Sequence, residues 1–225
     1  MKKNGKFVLV LAIIMIALCG TAAAELPPMY AGVDLGVGMS PASVKGLETG
    51  LSWLDGDINV FMAGFEMIPK FGISPISSLP DLAFEFNLQM DFLSGKMDVR
   101  TEGTWDENGY VPGSGIEKQA IKINVISPQI LAVYTFSKWA VQPYIGAGFG
   151  MNFNSLSIEG VKIDNFVKNS FSLVLKGGVY YNITEKLMLS GLVRYNLNVF
   201  ASTGTVEYSA NWGVISLGAG LAYRF

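Results

Sequence analysis

Gly213–Phe225 reads GVISLGAGLAYRF, and its alternate residues separate into two faces. Ile215, Leu217, Ala219, Leu221, Tyr223 and Phe225 form a face of apolar and aromatic side chains. Val214, Ser216, Gly218, Gly220, Ala222 and Arg224 form a face that is mostly small or polar. A period of two marks a strand, because successive side chains leave a pleated backbone on opposite sides. One side of this strand needs an apolar environment along its whole length, and the other tolerates a wet one.

The same pattern recurs upstream. In Leu82–Phe92, LAFEFNLQMDF, the residues Leu82, Phe84, Phe86, Leu88, Met90 and Phe92 oppose Ala83, Glu85, Asn87, Gln89 and Asp91. Segments 30–39, 60–72, 119–136, 141–153, 170–182, 187–199 and 212–225 follow it less strictly, which makes eight strands. Each is long enough for the roughly 9–11 residues that carry a tilted strand across a membrane. Connections alternate between short turns (SPISSLPD, SKW, TEK) and long polar stretches of which residues 94–117 form one. Short turns on one side and long loops on the other describe an all-β, eight-stranded, antiparallel up-and-down transmembrane barrel over residues 25–225, with four loops outside the cell and both termini in the periplasm.

Two prolines complicate this reading. Pro128 removes a ladder donor and predicts a bulge or a change of phase after Val125. Pro69 interrupts the second segment, whose start is left open between Asp57 and Met62. The longest uncharged stretch, Trp139–Ile158, carries a proline, asparagines, serines and three glycines, a poor composition for a helix in lipid. A soluble sandwich would show the same alternation, but its second face meets water. Here that face is mostly glycine and alanine in the first, fifth and eighth segments.

The first 24 residues predict a cleaved signal peptide: Lys2, Lys3 and Lys6, then the uncharged FVLVLAIIMIAL, then Ala22 and Ala24 ahead of a cut at Glu25. The apolar core is shorter than the roughly 20 residues of a spanning helix. Leu18 before Cys19 argues against a lipid anchor. Cleavage removes three of the 16 basic residues, leaving 13 against 18 acidic ones, a net charge near −5 that excludes an electrostatic nucleic-acid binder. It also removes the single cysteine, so neither disulfides nor thiolate metal sites are available.

LGAGLAYRF, with Leu221, Tyr223 and Phe225 in step, resembles the C-terminal signature of bacterial outer-membrane β-barrels. PYIGAGFG (Pro143–Gly150) and VRYNL (Val193–Leu197) are similar to segments of the small OmpA/OmpX/OmpW-like barrels. The resemblance implies export through the Sec pathway to the bacterial outer membrane and contact with its lipid. It also implies recognition of Leu221, Tyr223 and Phe225 by the barrel assembly machinery. No periplasmic domain follows the barrel, so a cell-wall role is not carried over. Barrel enzymes of the phospholipase, deacylase, palmitoyltransferase and omptin families use histidine. This chain has none, and it is read as a non-enzyme without cofactor.

With the apolar face outward, Asp34, Glu66, Lys70, Glu85, Asp91, Lys176, Arg194 and Arg224 point into the lumen, together with Asn87, Gln89, Tyr144 and Tyr180. Acids lie mainly on the first three segments and bases mainly on the last three, so pairing across the lumen or across the closing seam is expected, because isolated buried charges are costly. Such a network is structural or gating in an eight-stranded barrel, whose interior is just wide enough for side chains to fill. Gly32, Gly36, Gly38, Gly146, Gly148, Gly150, Gly218 and Gly220 either leave a crevice or make room for large residues. Two functions remain open: passage of small apolar solutes, as OmpW-like resemblance implies, or a structural or surface-interaction role through the loops toward an extracellular ligand, as in OmpX-like and OmpA-like barrels.

Overall fold

The computed structural model describes residues 27–47, 56–100, 104–106, 109–111, 116–163, 169–199 and 209–225. The segment read as a signal peptide lies outside them. The strands are β1 (Met29–Leu47), β2 (Gly56–Ile73), β3 (Leu82–Arg100), β4 (Thr104–Asp106), β5 (Gly109–Val111), β6 (Ile116–Thr135), β7 (Val141–Ile158), β8 (Val161–Ile163), β9 (Asn169–Asn182), β10 (Leu187–Val199) and β11 (Ser209–Arg224). Antiparallel pairing runs β1–β2–β3–β6–β7–β9–β10–β11 and back to β1, which closes an eight-stranded barrel. β4 and β5 form a separate ribbon, and β8 folds back on β7. That last hairpin turns on Glu159 and Gly160, with φ of 49° and 81°, the left-handed pair that a two-residue hairpin requires.

Closure follows from the two faces of each strand. In β3, Ala83, Glu85, Asn87, Gln89, Asp91 and Leu93 are buried in the lumen while Phe84, Phe86, Leu88 and Phe92 are exposed. A wall of exposed Phe, Leu, Ile and Val is stable only against lipid, and in lipid every backbone donor must be paired, which a barrel achieves by having no edge. The seam runs from Tyr30↔Arg224 to Lys45↔Ser209, and the Phe225 N–H donates to the Met29 carbonyl at 3.0 Å. Exposed Tyr134, Phe136, Trp139, Tyr181, Tyr223 and Phe225 collect at the turn-side rim. Tyr134–Phe136 and Tyr223–Phe225 meet edge to face at 5.2 Å and 5.4 Å, and such rings suit the headgroup interface.

The expectation for Pro128 is corrected. Ile121, Ile123, Val125, Ser127, Gln129, Leu131 and Val133 are buried in one unbroken alternation, so no change of phase follows Val125. The β3–β6 register passes straight through Leu88↔Pro128 without a bulge. What is lost is pairing on the other side: β6–β7 partners stop at Ile126↔Phe153 and resume in the same register at Gln129↔Gly150. A strand residue has one N–H, aimed at one neighbour, so the ring interrupts one ladder and leaves the phase intact. Pro69 does the same between Met67↔Met90 and Lys70↔Asn87, and Pro41 between Met39↔Ile215 and Ala42↔Trp212.

Candidate functional site

The lumen near the turns holds an ionic cluster built from β1, β2, β3, β9 and β10. Lys70 Nζ lies 2.7 Å from Asp34 Oδ1, and Lys176 Nζ lies 2.7 Å from Glu85 Oε2 and 3.8 Å from Asp34 Oδ2. All four side chains are almost fully buried. Ser190 Oγ donates to Asp34 at 2.7 Å, while the Tyr30 and Tyr180 hydroxyls donate to Glu85 Oε1 at 2.6 Å and 3.1 Å. The Tyr144 and Tyr180 rings stack at 4.1 Å, with Lys70 over the second and Lys176 over the first. Two acids and two ammoniums sum to zero charge, which is how a low-dielectric interior holds ions at all.

A second cluster, richer in amides, lies closer to the loops and is organised by Gln89. Its Nε2 donates to Glu66 Oε2 at 2.8 Å and to Asp91 at 2.9 Å and 2.8 Å. Its Oε1 accepts from Gln129 at 2.5 Å and from Asn196. Ser216 donates to Glu66 at 2.9 Å, and Arg194 reaches the Gln129 carbonyl oxygen. Among the described residues, Nε and Nη1 of Arg194 have no hydrogen-bond partner. Asn152 donates to Asn198 and Ser170 above this layer.

Seven of the eight charges expected in the lumen are therefore buried there, in two groups. Asp34, Lys70, Glu85 and Lys176 meet; Glu66, Asp91 and Arg194 engage Gln89, Gln129 and Ser216. Arg224 stands apart at the rim, where its Nη2 lies 3.3 Å from Met188 Sδ. Lys70 pairs with Asp34 on the adjacent strand, whereas Lys176 crosses to Glu85, so the expected pairing across the lumen holds for the second ammonium only. Tyr30, Ser190, Gln129, Asn196 and Ser216 were not among the expected residues. Tyr30 shares the parity of Asp34, a signal that was available. Gln129 was hidden by the shift of phase expected at Pro128.

The inward glycines make room. A Cβ on Gly220 would overlap the Asp34 carboxylate, and one on Gly150 would overlap the Gln129 side chain. Gly178 is the most confined near the tyrosine pair: a Cβ there would overlap the Gly191 carbonyl oxygen and come within 2.7 Å of the Tyr144 hydroxyl. Gly178→Ala should therefore destabilise the barrel by about 1–3 kcal/mol, the usual range for overpacking. Gly177→Ala, whose Cβ would meet only the Tyr144 carbonyl oxygen at 3.7 Å, should change stability by no more than about 0.5 kcal/mol. Urea midpoints of the folded protein in detergent compare the two.

The model of the outer membrane protein beta-barrel domain matches residues 8–225. Among solved structures, Neisserial surface protein A is 23% identical with a TM-score of 0.48, the match covering 88% of this chain and 97% of that one. The attachment invasion locus protein Ail of Yersinia pestis is 16% identical with a TM-score of 0.40, covering 89% and 100%. Outer membrane protein W of Escherichia coli is 14% identical with a TM-score of 0.35, covering 90% and 100%. A search of curated proteins finds no match.

Proposed function

The chain belongs to the outer membrane protein β-barrel domain family, and from that premise we propose that it is a non-enzymatic bacterial outer-membrane protein, exported through the Sec pathway, closed along its axis, and acting through the loops it holds at the cell surface. The observation that carries this reading is the neutral cluster of Asp34, Lys70, Glu85 and Lys176, capped by Tyr30, Tyr144 and Tyr180. An ion entering that layer would have to break buried pairs whose remaining partners would stay desolvated, a cost of several kcal/mol. The chain has no histidine, and the lumen carboxylates Glu66, Glu85, Asp91 and Asp34 are all engaged with donors, so among the described residues the lumen offers no free general base of the usual kind. Leu221 and Tyr223 on β11 and Phe225 just after it, exposed in one row, serve recognition by the barrel assembly machinery.

Passage of small apolar solutes is the second reading, favoured by the interrupted ladder beside Pro128. A solute leaving sideways between β6 and β7 would enter lipid directly, a gain only for apolar molecules. Reconstitution into liposomes separates the two. The sealed barrel passes neither ions nor a small apolar dye above the lipid background. Dye entry without ion conductance, slowed by Pro128→Ala, would establish the side route, and ion conductance would remove the axial plug from both readings.

A further inference from the structure

The outward face of β3 and β6 changes character toward the loops. Tyr134, Ala132, Ile130, Pro128 and Ile126 on β6 are followed by Asn124, Lys122 and Lys118; Phe84, Phe86, Leu88, Met90 and Phe92 on β3 are followed by Ser94 and Lys96. Tyr134 to Ile126 spans roughly 21 Å of membrane at about 3.4 Å per residue and a tilt near 40°, close to the ~25 Å apolar band of such barrels. The lysines therefore stand at the depth of lipid headgroups.

Their grouping is close. Lys96 faces Ala120 in the ladder, and Lys118 and Lys122 flank Ala120 on the same strand face. Diagonal neighbours of this kind lie about 7–8 Å apart, and like charges at that spacing repel. Asp98 stands opposite Lys118 in the ladder, but Lys122 has Ser94 on one side and Ser157 on the other. The carboxylate of Glu159 accepts the Ala120 N–H at 2.6 Å. Among the described side chains, the outward faces of β1, β2, β9, β10 and β11 carry no lysine or arginine.

We propose that this face binds the phosphate of a lipid headgroup in the leaflet on the loop side, with Lys96 and Lys122 as the two cationic contacts. Ser157 offers a hydroxyl donor beside Lys122, and the acyl chains lie along Phe92, Ile126 and Phe153, which are exposed directly below. With Asp98 opposite Lys118 and the Glu159 carboxylate at Ala120, Lys96 and Lys122 still leave the patch cationic, and a dianionic group between them turns the repulsion that remains into affinity. The proposal rests on the reading above in one respect, that the loops face the outer leaflet.

Native mass spectrometry of the folded barrel in detergent tests it, with a bis-phosphorylated glucosamine lipid, phosphatidylcholine and inorganic phosphate as probes. At about 1 kcal/mol per lysine near an anionic surface, Lys96→Gln with Lys122→Gln should weaken the phosphorylated lipid about thirtyfold. Lys138→Gln with Lys186→Gln, on the turn side, should leave it unchanged, and phosphatidylcholine should be insensitive to both. Equal binding by the Lys96/Lys122 variant overturns the proposal, as does an equal loss in the turn-side variant. Displacement by inorganic phosphate at the lipid's own concentration would show a simple anion site and overturn it too. Should the double variant fail to fold, the unaltered protein decides: about 0.5 M NaCl must release the phosphorylated lipid. The substitutions lie outside the lumen, so liposome conductance distinguishes failure here from failure of the sealed-barrel reading.

Discussion

Lys176→Met should be among the most destabilising single substitutions in the barrel. Its ammonium is shared by Glu85 at 2.7 Å and Asp34 at 3.8 Å, with all three groups buried. Methionine keeps most of the volume but leaves a cluster of two carboxylates and one ammonium. Removing one member of a buried ion pair costs about 3–5 kcal/mol, because the partner's charge is then uncompensated. The urea midpoint of the folded protein and its heat-modifiable migration on gels report the loss. Adding Glu85→Gln restores neutrality and should recover most of it, whereas a merely steric defect at position 176 would not be repaired from β3.

Phe225→Asp should abolish most insertion into the outer membrane, while Arg224→Lys should be tolerated. Phe225 ends the exposed row of Leu221 and Tyr223, packs edge to face on the Tyr223 ring, and carries the N–H that pairs with Met29 across the seam. A carboxylate on that face opposes transfer of the strand end into the interface, and it removes an aromatic anchor where rings are favoured. Arg224 points the other way, to Met188 at the lumen rim. Membrane fractionation of cells expressing each variant measures the difference. Full insertion of Phe225→Asp would remove Leu221, Tyr223 and Phe225 from any role in recognition.

The barrel was legible where lipid disciplines the sequence. In Leu82–Phe92 every outward position is apolar because the membrane tolerates nothing else, so the strand, its phase and its faces could all be read. Beyond Phe92 the faces exchange character, with Ser94 and Lys96 exposed and Leu93 and Met97 buried, so the apolar outward row that marked the strand ends there; that is why β3 continues to Arg100 without the signal and why β4, β5 and β8 were not foreseen. The members of the lumen clusters were readable from parity, but their partners were not. Lys176 has Arg194 and Gly146 as its ladder neighbours, yet its ammonium meets Glu85 on β3. Which inward residues meet depends on strand tilt and shear, set by the closed barrel as a whole and absent from any single segment. Pro128 was misread for a local reason: an interrupted ladder and a broken phase are separate events, and only the first occurred.

The ionic cluster joins residues far apart along the chain, Ser190 to Asp34 across 156 positions and Lys176 to Glu85 across 91. Contacts of such separation cannot form until distant strands have been brought together, so they are expected to close late, with the wall itself. Interactions made that late have little influence on how fast a chain reaches its folded form and act on how slowly it leaves. Lys176, Glu85, Ser190 and Asp34 should thus act as a latch on the finished barrel, so that breaking it speeds unfolding more than it slows folding.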